Sequence, residues 1–190
     1  MSEIPAAILI GASAGSVDAL MKILPALPAG YPFPILVVVH LSPNAKSIMS
    51  EIFAPRCALR VKEAEDKESL QPGTIYFAPP NYHLLVEEDE TLALSSDEPV
   101  LFSRPAIDIL FESAADAYGE GAVGIVLTGA NEDGTHGLQA IDAAGGTCIV
   151  QDASQAQAPQ MPAAALKRTP SAQVLSLQEI AQYLNQIALL

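Results

Sequence analysis

The chain has few aromatic residues, few basic ones and almost no cysteine. None of its 190 residues is tryptophan, and aromatic residues make up 5%. Its core must therefore be aliphatic, and the 50% hydrophobic content is enough to build a sizeable one. Nine Lys and Arg face 22 Asp and Glu, a formal net charge of −13. That balance argues against a nucleic-acid surface, which needs a basic stripe, and against anionic lipid. Solubility is the plainer reading of the charge. Cys57 and Cys148 are isolated, too few for a disulfide framework, and read as small buried residues in a reducing compartment. No apolar run approaches the length of a membrane span. The first residues, MSEIPAAILI, lack a basic leader region, so their apolar part is read as a first strand. The expectation is a soluble, cytoplasmic protein forming one domain over residues 1–190, with no nucleic-acid partner and no membrane insertion; its oligomeric state is left open.

What is present is an alternation of strand and helix patterns. Ile8-Leu9-Ile10 is a short apolar run leading into Gly11-Ala12-Ser13-Ala14-Gly15. Val17, Leu20, Met21 and Leu24 follow at helical spacing. Pro25 and Pro28 end that helix. Pro34 to Val39 is apolar and β-branched without alternation, which suits a strand covered on both faces, and His40 closes it. Ser42-Pro43-Asn44 reads as a turn and Lys46 to Ala54 as a helix. Leu59–Ala64 and Thr74–Phe77 read as strands. Tyr82–Val86 and Thr91–Ser95 form a hairpin at or outside the sheet edge, with six acids crowded between Glu87 and Glu98. Ser103 suits a helix N-cap with Pro105 in the first turn, ahead of a helix to about Tyr118. Ala122 to Leu127 is another buried strand, followed by a helix that Gly145-Gly146 stops. Thr147–Val150 is a strand, Gln151 to Pro162 a surface loop, and Ala163–Lys167 a short helix. Gln173–Leu175 is a strand, and Ser176 caps a last helix. This order predicts an α/β fold: a doubly wound, mostly parallel sheet flanked by helices on both faces, with one antiparallel β-hairpin.

Ligands of such sheets bind beyond the carboxyl ends of the strands. Three reactive side chains fall at such ends: Ser13 after the first strand, His40 after the second and Asp133 after Ala122–Leu127. Each has a plainer reading alone. A glycine-rich strand-to-helix turn also binds phosphate or merely turns a corner; a lone His is usually structural; an Asp before a helix is usually a cap. Together they supply an alcohol, an imidazole to take its proton and a carboxylate to orient the imidazole, the parts of nucleophilic acyl transfer. That chemistry needs no metal and no cofactor. Gly11 to Gly15 spells G-x-S-x-G, but the chain order Ser, His, Asp differs from the α/β-hydrolase order Ser, Asp, His. The stretch lacks G-x-G-x-x-G and a P-loop Lys. Asp133 and His136 have no third ligand in reach for a metal. His83, in Asn81-Tyr82-His83 after a strand, has a place near the site open to it, but reads as a surface residue.

These residues resemble the catalytic domain of the bacterial chemotaxis protein-glutamate methylesterases of the CheB type. The similar pieces are Ile10-Gly11-Ala12-Ser13, the strand ending at His40, Val61-Lys62-Glu63-Ala64-Glu65-Asp66, and Pro72-Gly73-Thr74-Ile75-Tyr76-Phe77-Ala78-Pro79. Further along stand Arg104-Pro105-Ala106-Ile107-Asp108-Ile109-Leu110-Phe111 and Leu127-Thr128-Gly129 leading to Asp133-Gly134. The resemblance runs in order from about Ala6 to the last helix. It implies a methylesterase-like catalytic domain over residues 1–190, with Ser13 as nucleophile, His40 as base and Asp133 as orienting acid. It implies hydrolysis of γ-glutamyl methyl esters on chemoreceptor cytoplasmic helices, and deamidation of receptor glutamines. Backbone N–H groups of Ala14 and Ala130 would serve the oxyanion.

Departures from the family pattern are Ala14 where Thr is usual, Ser16 for the second glycine of a pair and here expected as a helix N-cap, and Ala130 where Met is common. Family enzymes usually carry an N-terminal receiver domain, and this sequence begins at the catalytic part, either as a standalone protein or as a fragment. The family's receptor helices are acidic, so Arg56, Arg60, Lys62 and Arg104 are expected to form a local basic patch. A binding module of the same fold, or a hydrolase of another small ester, would share these features.

Overall fold

Ile8 to Ile10 and Ile35 to Val39 contain no polar side chain, so neither segment can face water on either side. In the fold they lie side by side at the centre of a sheet. A computed structural model describes residues 4–42 and 44–190; Pro43, in the expected turn after His40, lies outside the described residues. The central strand β1 (Ala7–Ala12) is buried along its whole length, as are β2 (Ile35–Val39) and β7 (Ala122–Val126) on its two sides. The edges are completed by β3 (Arg60–Glu63), β4 (Thr74–Phe77), β8 (Thr147–Gln151) and β9 (Gln173–Leu175). The seven-stranded order is β3-β4-β2-β1-β7-β8-β9, with every neighbouring pair parallel.

Side chains alternate along β1. Ile8, Ile10 and Ala12 join one core with α1 (Ser16–Ile23), α2 (Met49–Phe53) and α6 (Leu177–Ile187). Ala7 and Leu9 join a second core with α3 (Ile107–Tyr118), α4 (Thr135–Ala143) and α5 (Gln160–Arg168). The two cores are aliphatic, as the composition requires; the aromatic exceptions include Phe53 stacked on Phe77 at 5.5 Å. The acidic hairpin, β5 (His83–Val86) with β6 (Leu92–Ser95), forms its own two-stranded antiparallel sheet outside the main one. It is tied to α3 by Val86 N–H donating to Ser113 Oγ at 3.0 Å. Cys57 and Cys148 are both free thiols, and burial pushes the Cys148 thiol up to about 12. Among the described residues no helix is long and apolar enough to cross a membrane.

The chain leaves β1 for β2 on one side and crosses over by α3 to β7 on the other. The loops after β1 and β7 therefore part company at the middle of the carboxyl edge, where such sheets form a crevice.

Four local readings are corrected. The helix expected over Lys46 to Ala54 is only Met49–Phe53, because Met49 and Phe53 are buried while Ile48 is 50% exposed. Ser16 is not a cap; Gly15 is the N-cap of α1, in the left-handed region at φ +82°, and a Cβ there would lie 2.8 Å from Gln157 Oε1. Ser103 does not cap α3 either. It closes a turn with Val100, and α3 starts at Ile107 because its first N–H groups find their acceptor on Asp133. The stretch 151–162 is not simply a surface loop: Met161 is fully buried and α5 begins at Gln160, since Gly129 exchanges backbone bonds with Ala158 and Met161.

Helices α3 and α4 hold one another by crossed capping. Asp133, just before α4, accepts from the start of α3, while Asp108 in the first turn of α3 accepts from Gly137 N–H of α4 at 2.7 Å. Gly137 is required for that approach: a Cβ would sit 2.5 Å from Phe111 Cβ and 3.0 Å from Asp108 Cα. Asp108 is 4% exposed, and its carboxyl is raised to about 6, chiefly by desolvation and further by Asp133. A raised folded-state value means that this group's stabilising contribution is complete below the unfolded value near 3.9 and is lost as pH rises through about 6. Asp108→Asn keeps an acceptor for Gly137 without the charge. Urea unfolding should therefore find the variant about 3 kcal/mol more stable than wild type at pH 8 and little or no more stable at pH 4. An equal difference at both pH values would show that the buried charge carries no penalty.

Candidate active site

The ladder of the sheet continues one residue past the strands on both sides of β1. His40 N–H donates to Ala12 O at 3.2 Å, and Ser13 N–H donates to Thr128 O at 2.9 Å. These two bonds set Ser13 between the start of the loop after β2 and the start of the loop after β7. Ser13 is half-buried and the following Ala14 is exposed. The Ser13 carbonyl accepts from Ser16 N–H at 3.0 Å, closing the turn into α1. Among the described residues the Ser13 hydroxyl makes no hydrogen bond, and the N–H groups of Ala14 and Ala130 donate to no protein acceptor.

His40 and Asp133, 93 residues apart in sequence, meet directly. His40 Nε2 lies 2.6 Å from Asp133 Oδ2, with the imidazole 11% exposed and the carboxylate fully buried. The same Oδ2 accepts from Ile107 N–H at 2.6 Å, and Oδ1 accepts from Asp108 N–H at 3.0 Å. The Asp133 carboxylate thus sits at the positive end of α3. Because it is the acceptor, the neutral imidazole carries its proton on Nε2, and Nδ1 is the nitrogen with a free lone pair. Nδ1 has Asn131 Nδ2 at 3.5 Å, the outer limit of a hydrogen bond.

Sequence reasoning missed the residues that fix these loops. Asn131 Oδ1 accepts from Asp133 N–H at 3.0 Å, a turn two residues long that only an Asx pattern could have signalled. Thr128 Oγ1 donates to Ala14 O at 2.8 Å and accepts from Ala158 N–H at 2.9 Å, tying the serine loop to the 151–162 segment. Buried Gln151 accepts from Thr128 N–H through Oε1 at 2.9 Å. His83 is corrected from a surface residue to one only 1% exposed. Its Nδ1 accepts from Ala106 N–H at 3.1 Å, and its Nε2 donates to Glu98 O at 3.0 Å. It braces the residue that precedes the helix end holding Asp133.

The expected basic patch does not form as a unit. Arg60 pairs with Thr74 at the amino-terminal end of the edge strands, and Lys62 is held by Glu65 at 2.9 Å and Glu68 at 2.7 Å. Arg104 alone lies near the start of α3, where its guanidinium donates to Ser96 O, Asp97 O and Asn81 Oδ1. Among the described residues no group of three or more His, Cys, Asp or Glu side chains could hold a metal ion.

Fold and edge together make an open α/β protein with the Ser13 alcohol, the His40 imidazole and the Asp133 carboxylate beyond the carboxyl ends of one parallel sheet. The family model for CheB methylesterase matches residues 8–184. A Leptospira interrogans protein, provisionally named protein-glutamate methylesterase/protein-glutamine glutaminase, is 45% identical over 176 residues, covering 93% of this chain and 91% of its own. A Methanosarcina acetivorans protein-glutamate methylesterase/protein-glutamine glutaminase is 37% identical over 185 residues, or 94% of this chain, which spans 52% of that relative's length. The crystal structure of the Thermotoga maritima CheB methylesterase catalytic domain superposes with a TM-score of 0.91 at 31% identity, covering 96% of this chain and 98% of that one. The chain belongs to the CheB methylesterase family.

The brace on α3 can be tested through His83. An Asn side chain places an oxygen near the Nδ1 position, whereas Gln reaches the Nε2 position and leaves Ala106 N–H without its acceptor. Hydrogen exchange at the Ile107 and Asp108 amides should stay near wild type in His83→Asn. In His83→Gln those amides should be less protected by about 1–3 kcal/mol, the cost of an orphaned buried donor. Equal protection in the two variants would show that the Nδ1 bond does not hold α3.

Proposed function

We propose that this protein is a serine hydrolase that removes methyl groups from γ-glutamyl methyl esters on chemoreceptor cytoplasmic helices, and that the same site deamidates receptor glutamines. The observation that carries this reading is the 2.6 Å contact of His40 with buried Asp133 beside the Ser13 turn, in a chain of the CheB methylesterase family.

In this reading the Ser13 hydroxyl attacks the ester carbonyl carbon while its proton passes to His40 Nδ1, the nitrogen not occupied by Asp133. Asp133 holds the tautomer and stabilises the imidazolium that forms. The tetrahedral oxyanion would be met by the N–H groups of Ala14 and Ala130, which carry no other burden and need no side chain to serve. Collapse breaks the bond to methoxide, which leaves as methanol with the proton from His40; for an amide the leaving group is ammonia. Water then attacks the acyl-serine by the same proton route, releasing glutamate and restoring Ser13. General-base help is worth roughly 10²–10⁴-fold, and one oxyanion donor about 10²–10³-fold. The hydroxyl's lack of a bond to the imidazole without substrate is compatible with this chemistry, since catalytic hydrogen bonds tighten in the Michaelis complex.

The test is methanol release from a methylated chemoreceptor cytoplasmic fragment. Ser13→Ala should lower the rate by at least about 10³-fold and abolish labelling by a serine-reactive fluorophosphonate, with folding unchanged. Equal release from wild type and variant would remove Ser13 from the mechanism. No release from folded wild type would leave the fold as a binding module or as a hydrolase of another ester.

A further inference from the structure

Next to the loop that approaches His40, two of the chain's scarce basic side chains stand together. A groove of about 360 Å³ runs between the start of α4 and the end of α5, lined by Glu132, Thr135, His136, Ala164, Lys167 and Arg168. Lys167 and Arg168 are two of only nine basic side chains in a molecule of net charge −13. Both are exposed, and among the described residues neither is within ion-pair distance of a carboxylate. Arg168 donates only to the amide of Gln139, at 3.0 Å, so its position is set by a neutral partner. Lys46 and Lys62, by contrast, are paired with glutamates.

One wall of the groove begins in the loop that carries Asn131 and Asp133. Glu132 lies between Asn131, whose amide faces His40, and Asp133, which holds it, and His136 stands one turn further along. Its other wall is joined to the same loop where Met161 N–H donates to Gly129 O at 2.9 Å. On the opposite flank, beyond the start of α3, Asp97 and Glu98 are exposed beside an Arg104 already committed to backbone carbonyls. A carboxylate-bearing ligand approaching the edge meets Asp97 and Glu98 on the α3 flank, whereas on the α4–α5 flank the two cations Lys167 and Arg168 outnumber the one carboxylate, Glu132.

We infer that this groove is a docking site for carboxylates of an acidic protein segment, and that it seats the substrate chain beside Ser13. The inference rests on the proposed reaction, whose chemistry supplies the ligand. Each turnover converts a neutral ester or amide into a γ-carboxylate, so a segment with several modifiable positions gains negative charge as it is processed. Carboxylates already formed would hold the segment while the next ester is presented. Exposed charge of this kind acts on encounter and KM rather than on the chemical step.

The experiment compares wild type, the double variant Lys167→Glu/Arg168→Glu and the charge-conserving Lys167→Arg/Arg168→Lys. Methanol release from a methylated receptor fragment is measured at about 20 mM and about 500 mM salt, with p-nitrophenyl acetate as a small neutral control. In the charge-reversed protein KM for the fragment should rise about tenfold at low salt, with kcat and the small-ester rate unchanged. The difference should shrink at high salt, and the charge-conserving variant should behave as wild type. An unchanged KM at low salt, with wild type active, overturns the docking site and leaves the proposed reaction standing. Should wild type release no methanol, that reading falls. The groove is then tested by fluorescence anisotropy with a labelled glutamate-rich helical peptide. Binding lost on charge reversal sustains the site, and absent or equal binding overturns it.

Discussion

The buried carboxylate of Asp133 is the interaction on which the rest of this site depends. It accepts from three donors that come from two distant parts of the chain: His40 after β2, and the first two N–H groups of α3. Taking a carboxylate wholly out of water costs several kcal/mol unless its lone pairs are matched. Here they are matched by a helix end, whose own unsatisfied donors need an acceptor, and by an imidazole. One group thus meets the needs of three elements. The position of the imidazole is thereby coupled to the packing of α3 on the sheet.

That coupling extends outward through side chains that satisfy backbone groups. His83 receives the N–H just ahead of α3, Asp108 returns a cap to α4, and Asn131 closes the turn that presents Asp133. At the start of the loop after β7 and the end of β8, Thr128 and Gln151 perform the same service for the serine loop and the 151–162 segment. Loops at a sheet edge expose backbone donors and acceptors that no ladder satisfies. In this protein buried polar side chains take up many of them, which holds the loop residues Ser13, His40 and Asp133 in place.

This division explains what the sequence could disclose. Strands β1, β2 and β7 were legible because continuous apolar runs have no alternative to burial, and Ser13, His40 and Asp133 because each stands where such a run ends. The hairpin was legible from its polar alternation and acidic turn. The roles of His83, Thr128 and Gln151 were not, because each satisfies a backbone group more than 20 residues away and leaves no local spacing. Ser103 failed for the same reason: its helix is capped from position 133, so local capping chemistry pointed to the wrong residue. The Ala, Gln and Pro content of 151–162 suggested a surface loop, yet a single buried methionine, two backbone bonds to Gly129 and the bond of Ala158 N–H to Thr128 Oγ1 turn it into a wall beside the serine loop.

The acidity of the molecule bears on the site through its distribution rather than its sum. Among the described residues Lys62 on the edge strand is paired with Glu65 and Glu68, and exposed Asp97 and Glu98 make the α3 flank negative, whereas Lys167 and Arg168 have no carboxylate within ion-pair distance beside the loop that holds Asp133. A Debye length of about 8 Å at physiological salt makes the nearest charges decide the potential at the edge. A protein of net charge −13 can therefore still present a positive approach to a carboxylate-bearing chain, provided the approach is narrow. Where the charge is localised in this way, the flank that attracts also orients. A segment seated between α4 and α5 would lie beside the loop that carries Ala130, Asn131 and Asp133.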